Sequence, residues 1–182
     1  MKTNNRLILI GGTGRNVGKT EFVCRVIKKF AATHDIYALK VSAVLPSEET
    51  FHGDHSQDPS GQPLFEESDA TRSKDTSRML RAGARRVFYL QSGDEHILAG
   101  YEQFLELIPE NSLIVCESNS LGYHVVPGAH IVVKGDGMSV KPRAEGLLET
   151  ADLVVISDGK SGFPELESIA INGGRWMVEG LS

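Results

Sequence analysis

Four consecutive apolar residues, Leu7-Ile8-Leu9-Ile10, run directly into Gly11-Gly12. An uninterrupted apolar run closed by glycine is how a strand buried on both faces reads, and such strands belong to parallel sheets covered by helices. Phe22, Val23, Val26, Ile27 and Phe30 then recur at spacings of three and four, which places an amphipathic helix from Lys19 to about Ala32. The alternation continues along the chain. Strands are expected at Ile36–Val41, Val87–Leu90, Leu113–Cys116, Ala129–Val133 and Leu153–Ile156, with one more short strand around Ile169–Ile171. Helices are expected at Thr71–Ala82, starting near Ser68-Asp69 and stopped by Gly83, at Glu95–Leu107 and at Pro142–Thr150. Strands alternating with helices imply an α/β fold: a mostly parallel, doubly wound sheet in three layers, with helices on both faces. Ligands of such sheets sit outside the carboxyl ends of the strands.

Residues 1–182 suit a single domain. Within it, residues 43–67 are polar and carry Pro46, Pro59, Pro63, Gly53 and Gly61, which reads as a lid or flexible insertion. A composition of 40% hydrophobic and 24% charged residues excludes a disordered chain, a coiled coil and a collagen-like fibre. The net charge of −5 carries no global footprint for nucleic acid. No apolar run is long enough for a signal-peptide core or a membrane span, so a soluble, cytoplasmic chain is expected. Cys24 and Cys116 form no CxxC and read as small buried apolar residues.

The stretch Gly12-Thr13-Gly14-Arg15-Asn16-Val17-Gly18-Lys19-Thr20 lies between the first strand and the first helix, the context a phosphate-binding loop needs. Glycines let backbone N–H groups turn toward phosphate oxygens, and the helix N-terminus adds about half a positive charge. Lys19 would reach the β and γ phosphates, and the Thr20 hydroxyl would meet Mg²⁺. From Gly12 the spacing is GxxxxxGKT, one residue longer than the strict GxxxxGK[ST] pattern, because position 13 is threonine. Glu117 ends the apolar run Leu113–Cys116, where a carboxylate for Mg²⁺ or its waters is expected.

Gly12-Thr13-x-x-x-Val17-Gly18-Lys19-Thr20 resembles the loop of dethiobiotin synthetases, GT-x-x-x-VGKT, with the same length. That family belongs to the P-loop class that also holds the MobB family, molybdopterin-guanine dinucleotide biosynthesis protein B. Lys74-Asp75-Thr76 through Ala82-Gly83-Ala84 is similar to the MobB segment that runs KDS, a few helical residues, then AGA. Ala38-Leu39-Lys40-Val41 resembles the MobB strand that ends in Lys-His, with Lys40 matching and Ser42 near the place of the family's histidines. The likeness spans roughly residues 6–42 and 70–121. Departures are Glu21 where MobB loops usually have a second threonine, Ser118 where they have glycine after the acid, and histidines missing or displaced to His52 and His55.

The resemblance implies a P-loop NTPase fold with Mg²⁺ and GTP or ATP as cofactors. It implies Lys19, Glu117 and Asp75 as catalytic residues, and Thr20, Glu117 and Asp75 around the metal. It also implies a nucleotide-binding adapter with weak hydrolysis in molybdenum cofactor biosynthesis, with molybdopterin or another small second substrate, a protein partner and a homodimer. The alternative is an ATP-dependent small-molecule kinase or ligase like dethiobiotin synthetase.

Other residues carry weaker signals. Asp158, after the last long strand, is compatible with guanine, and Asn172-Gly173-Gly174 is an alternative loop on the base side. His52-Gly53-Asp54-His55 with Asp58 reads as a solvated loop more readily than as a divalent-metal site. Arg78, Arg81, Arg85 and Arg86 form a basic cluster; Arg78 and Arg81 share a helix face and would hold a phosphate or carboxylate of a second substrate, or simply meet solvent. Lys134 and Lys141 would contact a second ligand from the loop after the Ala129–Val133 strand. The 19 glycines include Gly122, Gly128, Gly135, Gly137, Gly159 and Gly162, expected along one rim of the sheet.

Overall fold

The computed structural model describes residues 1–43, 64–140, 142–160 and 162–180, without the side chains of 142 and 143. In chain order the elements are β1 (Lys2–Gly12), α1 (Lys19–Phe30), β2 (Ile36–Ala43), β3 (Leu64–Glu67), α2 (Asp75–Arg81), β4 (Arg86–Ser92) and α3 (Ile97–Glu106). They continue with β5 (Leu113–Glu117), β6 (Val125–Gly135), α4 (Pro142–Glu149), β7 (Leu153–Ser157), β8 (Ile169–Asn172) and β9 (Arg175–Val178). Among the described residues, one sheet of seven strands runs in the order β3-β4-β2-β5-β1-β6-β7. All its pairings are parallel except that of β3 with β4.

Alternate residues of the central strand point to opposite faces, as a pleated strand requires. Ile8 and Ile10 enter a cluster with Phe22, Val23, Val26 and Ile27 of α1 and Met79 of α2. Leu7 and Leu9 pack on the other face with Ile97, Tyr101 and Phe104 of α3. Val132 of β6 meets Ala144 and Leu147 of α4 in a third cluster. The fold is therefore α/β with helices on both faces of a mostly parallel sheet, as the apolar runs imply. No helix among the described residues is long and apolar enough to cross a membrane.

Three stretches differ from the sequence expectation. The polar stretch read as a lid ends in β3, an antiparallel edge strand that Arg86 pins through a two-point contact with Glu66 at 2.7 and 2.6 Å. Residues 44–63 lie outside the described residues. The helix expected from Thr71 begins at Asp75. Asp69 takes both the amide and the hydroxyl of Thr71, at 2.8 and 2.6 Å, and this local turn competes with helical bonding. The tail forms two strands rather than one. Gly173 and Gly174, at φ 57 and 73, make the tight turn with positive φ at both central positions that joins β8 to β9. Gly128 also departs from the expected rim: it lies in the first half of β6, and its Cα faces the Asn5 backbone so closely that a Cβ would sit 2.2 Å from the Asn5 oxygen.

The β8–β9 hairpin belongs to the core. Trp176 is 2% exposed and meets Phe30 of α1 edge-on at 4.9 Å. Trp176→Ala is expected to cost about 3–5 kcal/mol, the usual range for truncating a buried aromatic, read as a lower urea midpoint. A second test concerns pH. Burial holds His130 of β6 below its ordinary value, partly offset by the Thr150 carbonyl and Asp152. The unfolded chain takes up this proton first, so the stability is present above the ordinary imidazole range and lost as pH falls through it. Urea midpoints should drop as pH falls from about 7 toward 5, and His130→Gln should flatten that drop.

Candidate functional site

The site forms where three parallel strands end together. Ile10 of β1 and Lys40 of β2 both stand beside Glu117 of β5, on either side of it. The chain then leaves β1 through residues 13–18 and enters α1. Several contacts fix that loop. The Thr13 amide donates to the Val133 carbonyl at 3.0 Å, which carries the β1–β6 pairing one residue further. Asn119 clamps Gly12 at both ends: its Oδ1 accepts from the Gly12 amide at 2.8 Å, and its Nδ2 donates to the Gly12 carbonyl at 2.9 Å. Gly18 adopts φ 91 at the helix start, and a Cβ there would lie 2.6 Å from the Ser157 Oγ. Conformation and space both require glycine at that place. No side chain caps the start of α1. Its first-turn N–H groups therefore face the loop, and the aligned peptide dipoles make this end attractive to anions.

The side chains around this loop make one connected polar chain. The Thr20 hydroxyl donates to Glu117 Oε2 at 2.8 Å. The other carboxylate oxygen of Glu117 lies 3.7 Å from Lys40 Nζ. Lys40 also donates to Asp75 at the first turn of α2. Burial would draw Lys40 below its ordinary value, but the charges of Glu117 and Asp75 outweigh it and hold Lys40 above. The α2 start is itself tied down, because Glu67 of β3 accepts from the Thr76 hydroxyl at 2.7 Å. Burial would raise the Glu67 carboxyl, yet the Asp69 amide and the Thr76 and Ser77 hydroxyls keep it low. Lys19 arches back over the loop, and its Nζ donates to the Gly14 carbonyl at 3.1 Å. Below the site, burial pushes the Cys24 thiol up to about 11, which keeps it protonated and unreactive near neutrality.

Arg15 to Thr20, Lys40, Asp75 and Glu117 line one cleft of about 410 Å³. Thr13 is fully buried under the loop, so it reaches the cleft through neither its side chain nor its amide. Asp158 stands across the loop, in a second cleft of about 420 Å³ with Gly135, Asp136, Met138 and Ser157. Asn16, Val17 and Gly18 are walls of both clefts. A smaller recess of about 190 Å³ adjoins the first cleft at Lys40 and Asp75 and is lined further by Ser73, Lys74, Thr76 and Tyr89. Burial raises the Tyr89 hydroxyl, and its hydrogen bond with Ser42 offsets part of that.

Other candidates fall elsewhere. Asn172 and Gly173 sit with Asn5 and Gly128, near the amino ends of β1 and β6, on the side of the sheet away from the loop. Arg81 donates to the carbonyls of Ala70 and Arg72, Arg85 faces Asp35 at 3.9 Å, and Arg86 holds Glu66. Arg81 and Arg86 brace the chain, Arg85 meets Asp35 at the surface, and only Arg78 of the four arginines lines the first cleft. Lys134 lines neither of the two clefts beside the loop. His52, Asp54, His55, Asp58 and Lys141 lie outside the described residues. Asn119 was not singled out in the sequence. Its only signal is the polar run Glu117-Ser118-Asn119-Ser120 that follows a buried strand.

Among the described residues no group of three or more His, Cys, Asp or Glu is arranged to hold a metal alone. Thr20, Glu117 and Asp75 offer oxygen donors only. That set fits Mg²⁺, which commonly binds through one or two carboxylates and completes its shell with waters and substrate phosphates. Comparison of the chain with protein-family models, curated proteins and solved structures finds no match. The Asn119 clamp yields a direct test. Asn119→Ala removes two hydrogen bonds worth about 0.5–1.5 kcal/mol each, so urea unfolding should show a loss of about 1–3 kcal/mol, whereas Ser120→Ala should leave stability nearly unchanged.

Proposed function

We propose that the chain binds a Mg²⁺-purine nucleoside triphosphate, with residues 14–20 as the phosphate-binding part of the loop of a P-loop NTPase fold. The observation that carries this reading is the 2.8 Å hydrogen bond from Thr20, in the first turn of an uncapped helix, to the buried carboxylate of Glu117 on the adjacent strand. A hydroxyl and a carboxylate are thereby held together beside the uncapped N-terminus of α1, as a metal-phosphate ligand requires.

In this reading the loop N–H groups and the α1 N-terminus cradle the phosphates. Lys19 exchanges the Gly14 carbonyl for phosphate oxygens, and Arg15 and Asn16 close the loop over them. Thr20, Glu117 and Asp75 hold Mg²⁺, which when bound neutralises charge on the phosphate oxygens. Lys40 pairs with both Glu117 and Asp75 and orients the two carboxylates. What the chain contributes to phosphoryl transfer is positioning and charge neutralisation. The base occupies the second cleft, where the Asp158 carboxylate suits the N1 and N2 donors of guanine. GTP is therefore the first nucleotide to try, with ATP beside it.

The finer assignment is a MobB-like, nucleotide-binding adapter with weak hydrolysis in molybdenum cofactor biosynthesis. It rests on the likeness of the loop, the Lys40 strand and the Lys74–Ala84 segment. The recess beside Lys40 and Asp75 favours a second reading, a kinase or ligase whose small acceptor binds there. Titration of Mg²⁺ with fluorescent GTP and ATP analogues tests the shared site. Lys19→Ala should weaken binding about ten-fold or more, the scale of a lost charge-assisted hydrogen bond. Unchanged affinity in that variant would overturn the reading. Tight binding with slow turnover under every acceptor tried selects the adapter, and turnover that rises with a small acceptor selects the kinase or ligase.

A further inference from the structure

Arg78 is the cation of the first cleft that the nucleotide reading has not used. It projects from α2 one turn after Asp75, on the same helix face. Side chains on a helix lean toward its N-terminus, and here that end carries Asp75 and faces the cleft. The Arg78 guanidinium is held by Glu21, the residue after Thr20, with Nη2 donating to Oε2 at 2.7 Å. The other oxygen of Glu21 accepts from Arg25 at 3.0 Å, one helical turn along α1.

This arrangement differs from that of Lys40 in the same cleft. Lys40 stands between two carboxylates, Asp75 and Glu117, and its charge is committed to them. Glu21 is served by two arginines, so releasing Arg78 leaves its carboxylate still paired with Arg25. The Arg78–Glu21 pair is also only half-buried, at 34% and 44% side-chain exposure. Breaking it strands no charge in an apolar interior, and pairs this exposed hold together weakly. A guanidinium on a long side chain, beside a phosphate cradle and held by a spare contact, can change partners at small cost. Its fork of donors matches phosphate oxygens.

Resting on the nucleotide reading above, we propose that Arg78 is a triphosphate-sensing residue. It leaves Glu21 for the terminal phosphate when a nucleoside triphosphate fills the loop, and it stays on Glu21 when a diphosphate does. Glu21 is then the holding partner that tunes this exchange.

The test compares affinities of the full chain for Mg²⁺ with a non-hydrolysable GTP or ATP analogue and for Mg²⁺ with GDP or ADP. Arg78→Ala should weaken the triphosphate analogue about ten-fold, the scale of one hydrogen bond to a charged group, and leave the diphosphate unchanged. Arg78→Lys should recover part of the loss, since it keeps the charge without the fork. Glu21→Gln should tighten the triphosphate analogue by releasing Arg78. A fall of both affinities together, or none in either, would overturn the assignment of Arg78. A wild-type chain that binds neither nucleotide would bring down the loop reading as well. Thermal melts of the three variants accompany the titrations. Should Arg78→Ala melt early, Arg78→Lys and Glu21→Gln decide through the ratio of triphosphate to diphosphate affinity.

Discussion

The Thr20–Glu117 hydrogen bond joins the helix that leaves β1 to the end of the strand beside it. It exists because β5, late in the sequence, is inserted between β1 and β2. That insertion puts Glu117 within reach of both Thr20 and Lys40, which a simple β1–β2 neighbour pair would not do. The loop, the α1 N-terminus and the α2 acid then converge on one carboxylate. Remove β5 from this place and the same residues remain in the chain with no common meeting point.

A carboxylate at 5% exposure is costly unless its charge is answered. Lys40 answers it electrostatically and Thr20 by hydrogen bonding, so Glu117 has polar partners in a sheet end otherwise built of Ile10, Leu39 and Cys116. Lys40 is stabilised in turn by Asp75, which depends on the placement of α2. Glu67 and the Asp69 turn set that placement from the edge of the sheet. A small edge strand thus supports a polar network several strands away.

What the sequence made legible was local. Leu7–Ile10, Leu113–Cys116 and the α1 stripe could be read because burial on both faces, or on one stripe, leaves a pattern in consecutive residues. The loop, Lys19, Thr20 and Glu117 were legible for a related reason, since each sits at the end of such a run. β3 was missed because a four-residue edge strand next to a long polar stretch has too little pattern to stand out. The α2 start was misplaced because Asp69 and Thr71 satisfy their own backbone. Asn119 could not be assigned, since its two bonds to Gly12 span 107 positions and depend on the strand order. The four arginines look alike in the chain, and only the positions of Glu21, Glu66, Asp35 and the Ala70 and Arg72 carbonyls separate them.

Asn16, Val17 and Gly18 form a wall that the two clefts beside the loop have in common. Asn16 and Gly18 hold left-handed conformations, at φ 56 and 91, and Gly18 sits tight against Ser157. A contact that shifts this segment from the Asp158 side therefore alters the face that borders Lys19 and Thr20. Coupling of this kind runs equally in both directions as a matter of thermodynamics. Whatever occupies one cleft and favours one position of residues 16–18 changes the affinity of the other cleft by the same factor that it receives in return.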